Sequence, residues 1–390
     1  MGSLISNILS SSQGLGVLVE NFLLLFQNDG WKRAVMWLVG GLLIYLAIAK
    51  DMEPTLLLPM GFGTILVNIP GVYEGALSTL FFAGISEACN ELFPLILFIG
   101  IGAMIDFGPI LTNPKLMIFG AAAQFGIFLT FALASLFFPT EVAASIGIIG
   151  AADGPTAIYV AQELITGALK DEYGHIIGAI MVAAYSYMAL VPIIQPPVIK
   201  ALTTQKERLI RMPYKGKKVS KLTKVLFPII ITIIVGLVAP KSIDLVGFLM
   251  FGNLIRECGV LNSLSDTASK VLANLITIFL GITIATQMTG VQFLRPETLL
   301  ILGLGLFAFI FDTAGGVLFA KFLNLFLKEK INPMIGASGI SAFPMSGRVV
   351  HKMGLKEDSQ NHLLMQSIGV NVSGQIASVI AGGMILAFFA

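Results

Sequence analysis

Long apolar runs separated by short polar stretches fill the chain from residue 33 onward. The runs lie near 33–49, 54–69, 92–107, 115–138, 174–199, 223–239, 243–255, 271–289, 297–328 and 360–389. They are unbroken rather than alternating, so they predict helical spans and not the strands of a membrane barrel. Several fall short of the ~20 residues a straight span needs, and many contain Gly or Pro. Short, interrupted segments of this kind are expected of discontinuous helices in transporters. PIIQPP, at 192–197, predicts a further break, because each proline removes a backbone donor. Residues 1–32 read as an amphipathic lead-in on the membrane surface. They lack the basic start and small-residue cleavage site of a signal peptide.

Composition sharpens the class. The chain has 390 residues, 56% hydrophobic and 12% charged, with mean hydropathy +0.89. Soluble domains carry about 25% charged residues, so an all-α polytopic membrane protein is expected. A net charge of +2 argues against a nucleic-acid partner. Cys89 and Cys258 give neither a disulfide framework nor a metal motif. His175, His351 and His362 show no metal spacing. The stretch Lys200–Lys224 holds nine Lys/Arg against one acid, Glu207, and is expected in the cytoplasm. It divides a first membrane repeat, 33–199, from a second, 225–390. Each half runs through a span to a Gly-rich break, then a polar loop, then a last span. Leu164–Gly174 is expected outside and its counterpart, Arg348–Lys356, inside. The halves are therefore expected to be inverted repeats with broken or re-entrant helices, in a transporter-like fold of the elevator type.

Candidate chemistry centres on the breaks. SIGIIGAADGPTAIYVA, Ser145 to Ala161, sets an acid and two helix breakers in apolar surroundings. Broken backbone strands N–H and C=O groups that lipid cannot satisfy. A carboxylate at the bilayer centre costs about 3 kcal/mol on insertion scales. A half-helix or hairpin tip at a polar site accounts for both, with Asp153 facing a cation or a proton. Carbonyls freed around Gly150 and Gly154 would add hard oxygen ligands suited to Na+. An ordinary surface turn competes, but the flanks are apolar on both sides. The matching break is INPMIGASGISAFPMSGRVV, Ile331 to Val350. Asn332, before Pro333, is pushed out of helical geometry and free to ligate. Ser338, Ser341 and Ser346 offer hydroxyls, and Gly336, Gly339 and Gly347 permit tight backbone. Small-residue helix packing is the alternative here. Arg348 reads equally as a snorkelling interface residue or an anchor for an anionic substrate. Asn371 and Ser373 read as interhelical polar groups, and Tyr185 and Tyr187 as belt aromatics. Asp106, Asp244 and Asp312 read as caps or interface residues, and Glu87 and Glu91 as a polar connector.

Longer strings carry a resemblance. GIIGAADGPTAIYVA, VAAYSYMALVPIIQPPVIKALTT, NPMIGASGISAFPMSGRVV and QNHLLMQSIGVNVSGQIASVIAGG closely resemble the membrane-embedded beta subunit of the sodium-pumping, biotin-dependent decarboxylases. That family acts on oxaloacetate, methylmalonyl-CoA and glutaconyl-CoA. The resemblance implies a carboxyltransferase alpha subunit that loads biotin on a carrier protein, and a small membrane-anchored subunit. It implies that this chain decarboxylates carboxybiotin, exports Na+ across the cytoplasmic membrane and consumes an external proton. A homo-oligomer is expected as well. It makes Asp153 the essential acid, with polar partners on Asn332, Gly336, Ser341 and Asn371, and Tyr187 and Arg348 functional. With Ser338, the expected Na+ ligands are Asp153, Asn332, Gly336, Ser338, Ser341 and Asn371. Catalysis is expected of Tyr187, Ser341 and Arg348, with Arg348 holding the biotin group. The competing class is a sodium- or proton-coupled transporter of organic anions, which needs no biotin-bearing partner.

Overall fold

The computed structural model describes residues 30–70, 75–86, 91–212 and 219–389. Nearly all of the lead-in, Glu87, Cys89 and the middle of the basic loop lie outside these. Among the described residues the chain is all helix and connection, with no strand. Seven helices are long and apolar enough to cross a membrane: Gly30–Lys50, Pro114–Ala134, Gly167–Leu202, Lys221–Val238, Asn262–Gln287, Pro296–Phe326 and Leu364–Phe389. Lipid tails accept apolar side chains at no cost, and Leu38, Leu222, Ile233 and Leu325 accordingly stand exposed on the outside.

The helices sort into central and peripheral. Residues buried inside the protein make up 72% of the most apolar window of Gly167–Leu202 and 67% of that of Leu364–Phe389. The shares are 17% for Gly30–Lys50 and 11% for Lys221–Val238. Polar groups that lipid cannot solvate belong between the central pair, and both breaks lie there. The first runs from the helix Thr140–Gly147 through a tight 3-10 turn, Ile148–Ala151, to the helix Gly154–Leu164. Ala152 takes the left-handed conformation, φ 52°, and turns the chain sharply. The second is the 3-10 segment Pro333–Gly339, followed by extended backbone at Ile340 and the helix Met345–Glu357.

The break expected at 192–197 does not occur. Gly167–Leu202 runs on for 36 residues through Pro192, Pro196 and Pro197. Pro192, Ile193 and Pro197 are exposed while the Gln195 face is packed inside the protein, and anchoring of that one face keeps the helix continuous past the carbonyls that proline leaves unpaired. Fully buried Gln195 fastens it by donating to the Ala337 carbonyl and to Ser346 Oγ, both at 2.8 Å.

One end of the molecule is basic. Arg208 pairs with Glu357 at 2.7 Å, Arg211 with Asp358 at 2.6 Å, and Lys321 with Glu207 at 3.2 Å. These pairs gather the start of the Lys200–Lys224 stretch, the end of Met345–Glu357 and the end of Pro296–Phe326. Gly167 starts the same helix that delivers Lys200 there, and 33 residues of helical rise put it about 50 Å away at the opposite end.

Candidate functional site

Asp153 caps the helix Gly154–Leu164. A carboxylate suits the position, because the first N–H groups of a helix have no acceptor within it. The Thr156 N–H approaches Oδ1 at 3.4 Å, and the Thr156 hydroxyl donates to Oδ2 at 2.8 Å. From Leu364–Phe389, Gln375 Nε2 and Ser378 Oγ donate to the same Oδ2 at 2.9 and 2.8 Å. All of these donors are neutral, and Asp153 is 3% exposed. Oδ2 is saturated, whereas Oδ1 keeps lone pairs for a ligand.

The two breaks touch at this point. The Ser341 N–H donates to the Ala151 carbonyl at 3.0 Å. Ser341 Oγ donates to the Gly374 carbonyl at 2.9 Å, and Asn371 Nδ2 to the Ile340 carbonyl at 2.7 Å. The helix Leu364–Phe389 thus holds the second break through Asn371 and Gly374, and the first through Gln375 and Ser378. The approach requires glycine, since a Cβ on Gly374 would collide with the Gly339 carbonyl oxygen. Asn371 Oδ1 and Ser338 Oγ are buried with no hydrogen-bond partner among the described residues. Like Asp153 Oδ1 and the Ser341 hydroxyl, these are hard oxygens carried by the two breaks and the helix that ties them together. Such oxygens suit a small monovalent cation.

Two expected ligands are engaged elsewhere. Asn332 Nδ2 donates to the Arg208 and Ile210 carbonyls at 2.8 and 2.9 Å, and its Oδ1 accepts the Met334 N–H at 3.1 Å. It seals the basic end over the second break. Gly336 lies backbone to backbone against Gly316 of Pro296–Phe326, where a Cβ on either would strike the other's carbonyl oxygen. The Tyr187 hydroxyl donates to the Leu302 carbonyl of that helix.

Arg348 is exposed at the basic end and lines a cavity of ≈550 Å³ with Lys50, Lys200, Lys352 and Lys356. Asp51 and Glu53 are the acids in its wall. Burial raises the Glu53 carboxyl above its ordinary range, the Arg348 guanidinium works against that, and Asp51 adds to it. Cations dominate, so the cavity suits an anion.

A family model described as the Na+-transporting oxaloacetate decarboxylase beta subunit matches residues 32–389. The chain belongs to this family. Methylmalonyl-CoA decarboxylase subunit beta of Propionigenium modestum is 48% identical, with 91% of this chain and 94% of the relative aligned. The same subunit of Veillonella parvula is 49% identical over 91% and 92%. The oxaloacetate decarboxylase beta chain of Klebsiella pneumoniae is 44% identical over 96% and 99%. The protein is thus a multi-pass membrane member of the sodium-transporting decarboxylase beta subunits. The matched span contains both breaks, the central helices and the basic cavity.

Sequence reasoning passed over three residues of this beta-subunit fold. Gln375 and Ser378 hold Asp153, and the signal was their spacing: Asn371, Gln375 and Ser378 fall at i, i+4 and i+7, on one helix face. Asp312, expected as a cap or interface residue, stands mid-helix in Pro296–Phe326 and is fully buried. Its Oδ1 accepts the Gly126 N–H. Its Oδ2 has no partner among the described residues and faces Gly150, where a Cβ would come within 2.6 Å. An acid in the apolar middle of a 31-residue helix, far from Glu297 in its first turn, was the sign.

Proposed function

We propose that this beta subunit decarboxylates carboxybiotin presented by a biotin carrier protein and couples that step to Na+ export, with an external proton consumed. The observation that supports it most is the meeting of the two breaks at a buried carboxylate held only by neutral donors. A buried charge without a countercharge is costly, and Na+ as cargo supplies the countercharge at Asp153. Asn371, Ser341 and Ser338 would complete its shell, with Asn332 and Gly336 keeping the second break in shape. In this reading the halves 33–199 and 225–390 are inverted repeats. A unit carrying both breaks moves in elevator fashion and shows one site to each side in turn.

The basic end faces the cytoplasm by its Lys and Arg. A carboxylated biotin head is anionic, and the ≈550 Å³ cationic cavity at Arg348 fits it in size and charge. The biotin group, when bound, supplies a carbamate that can release CO2. Arg348 would hold the carboxylate through two parallel hydrogen bonds, a geometry lysine cannot copy. Lys200, Lys352 and Lys356 would draw the anion in. Tyr187 or Ser341 is the hydroxyl proposed to lie near the carbamate. The carboxyltransferase alpha subunit, the small membrane-anchored subunit and further copies of this chain would complete the complex in the cytoplasmic membrane.

The test is reconstitution of the whole complex in liposomes, with CO2 release and Na+ uptake followed together. Avidin, which sequesters biotin, should stop both. Continued Na+ movement with biotin blocked would instead support a coupled transporter of organic anions.

A further inference from the structure

Two cavities open on opposite ends of one helix. Along Gly167–Leu202, Gly174, Gly178 and Met181 line a cavity of ≈250 Å³ that also takes in Gln162 and Gln287. Pro192, Pro196 and Lys200 line the basic cavity. Met181 and Pro192 are eleven residues apart, about 16 Å of helix. The wall between the cavities is thus about half of the ~30 Å hydrocarbon core.

Tyr185 stands in that wall, one turn from Met181. Its ring lies on Gly154, the residue after Asp153, so closely that any Cβ there would collide with it. The residue is 1% exposed, and its hydroxyl has no hydrogen-bond partner among the described residues. A buried hydroxyl left unpaired costs roughly 1–3 kcal/mol, so its presence beside the site asks for a ligand. Tyr187 differs: two residues on and about 200° around the helix, it spends its hydroxyl on the Leu302 carbonyl.

We infer that Tyr185 is the gate between Asp153 and the cavity at Gly178 and Met181, and that its hydroxyl oxygen ligates the cation as it passes. The inference rests on the Na+ translocation proposed above, and it makes this cavity the outer mouth of the path. The ring closes the wall, and the phenolic oxygen offers a neutral hard ligand beside the one charged ligand. Swinging one side chain opens the passage without disturbing the helices that hold the breaks.

Two variants separate these roles in the reconstituted complex. Tyr185→Phe keeps the ring and removes the oxygen. The Na+ concentration for half-maximal decarboxylation should rise about tenfold, with the maximal rate within about twofold of the parent (tenfold being 1.4 kcal/mol of binding). Tyr185→Ala removes the plug, and passive Na+ leak should appear in liposomes given no carboxylic acid. Parent-like half-saturation in Tyr185→Phe would overturn the inference, and so would the absence of leak in a folded Tyr185→Ala. If Tyr185→Ala does not fold, the phenylalanine variant decides alone. A parent complex indifferent to Na+ would sink the translocation reading itself, which is a distinguishable result.

Discussion

The two breaks solve the same problem in opposite ways. The first breaks over a few residues and carries a charge: Ala152 turns left-handed, Asp153 caps the next helix, and three side chains saturate one carboxylate oxygen. The second runs uncharged from Pro333 to Gly339, held by backbone contact and side-chain clamps while Ser338 Oγ stays unpaired. Gly336 seats on Gly316, Gln195 binds the Ala337 carbonyl, and Asn332 ties the segment to the basic end. One break places a buried carboxylate, and the other sets a tightly packed, uncharged backbone beside it. The first should therefore be sensitive to charge and the second to volume.

The largest effect should come from charge at the first break. Asp153→Asn keeps the shape and removes the carboxylate, and Na+-stimulated decarboxylation should fall by at least three orders of magnitude, about 4 kcal/mol, while the chain stays folded. Ordinary Na+ dependence in this variant would erase the distinction between the breaks. Volume at the second break comes next. Gly336→Ala forces two backbones apart, and overpacking of this kind costs about 1–3 kcal/mol. Thermal unfolding in detergent should show it, and an unchanged midpoint would mean that the packing yields.

Arg348→Lys probes the helix that follows the second break. Decarboxylation of free carboxybiotin should drop about a hundredfold, near 2.7 kcal/mol, with Na+ binding almost untouched. Near-normal turnover would return Arg348 to a snorkelling role. Gln375→Ala removes one charge-assisted donor from Asp153, and Na+ half-saturation should shift about tenfold. The smallest effect belongs to the clamp at the basic end. The Arg211 guanidinium and the Gln360 N–H hold the Asp358 carboxyl below its ordinary range. That stabilisation is full above the unfolded carboxyl's value, about 4, and fades as pH falls through the lower folded value. Asp358→Asn should match the parent's stability only at such acid pH, and a difference that instead grows on acidification would reverse the assignment.

Much of this was legible in the chain. Local chemistry sets the spans, and the apolar runs correspond closely to the helices found. It also sets the breaks: Asp-Gly-Pro-Thr caps a helix wherever it lies, and Asn-Pro leaves helical geometry. Four long strings pointed to the beta-subunit family, whose model matches residues 32–389. What the sequence could not assign was who meets whom. Gln375 and Ser378 reach Asp153 across 222 and 225 residues. Helical period shows that they share a face, yet only packing decides what that face touches. The same holds for PIIQPP, kept helical with its buried Gln195 fastened to the second break, and for Asn332, whose amide is claimed by the Arg208 and Ile210 carbonyls. Asp312 is a third case, a mid-helix acid whose neighbour, Gly150, comes from the other half of the chain. Backbone preferences act over a few residues and can be read in order. Partners of buried polar groups are chosen by elements hundreds of residues apart, and in this protein that choice made the site.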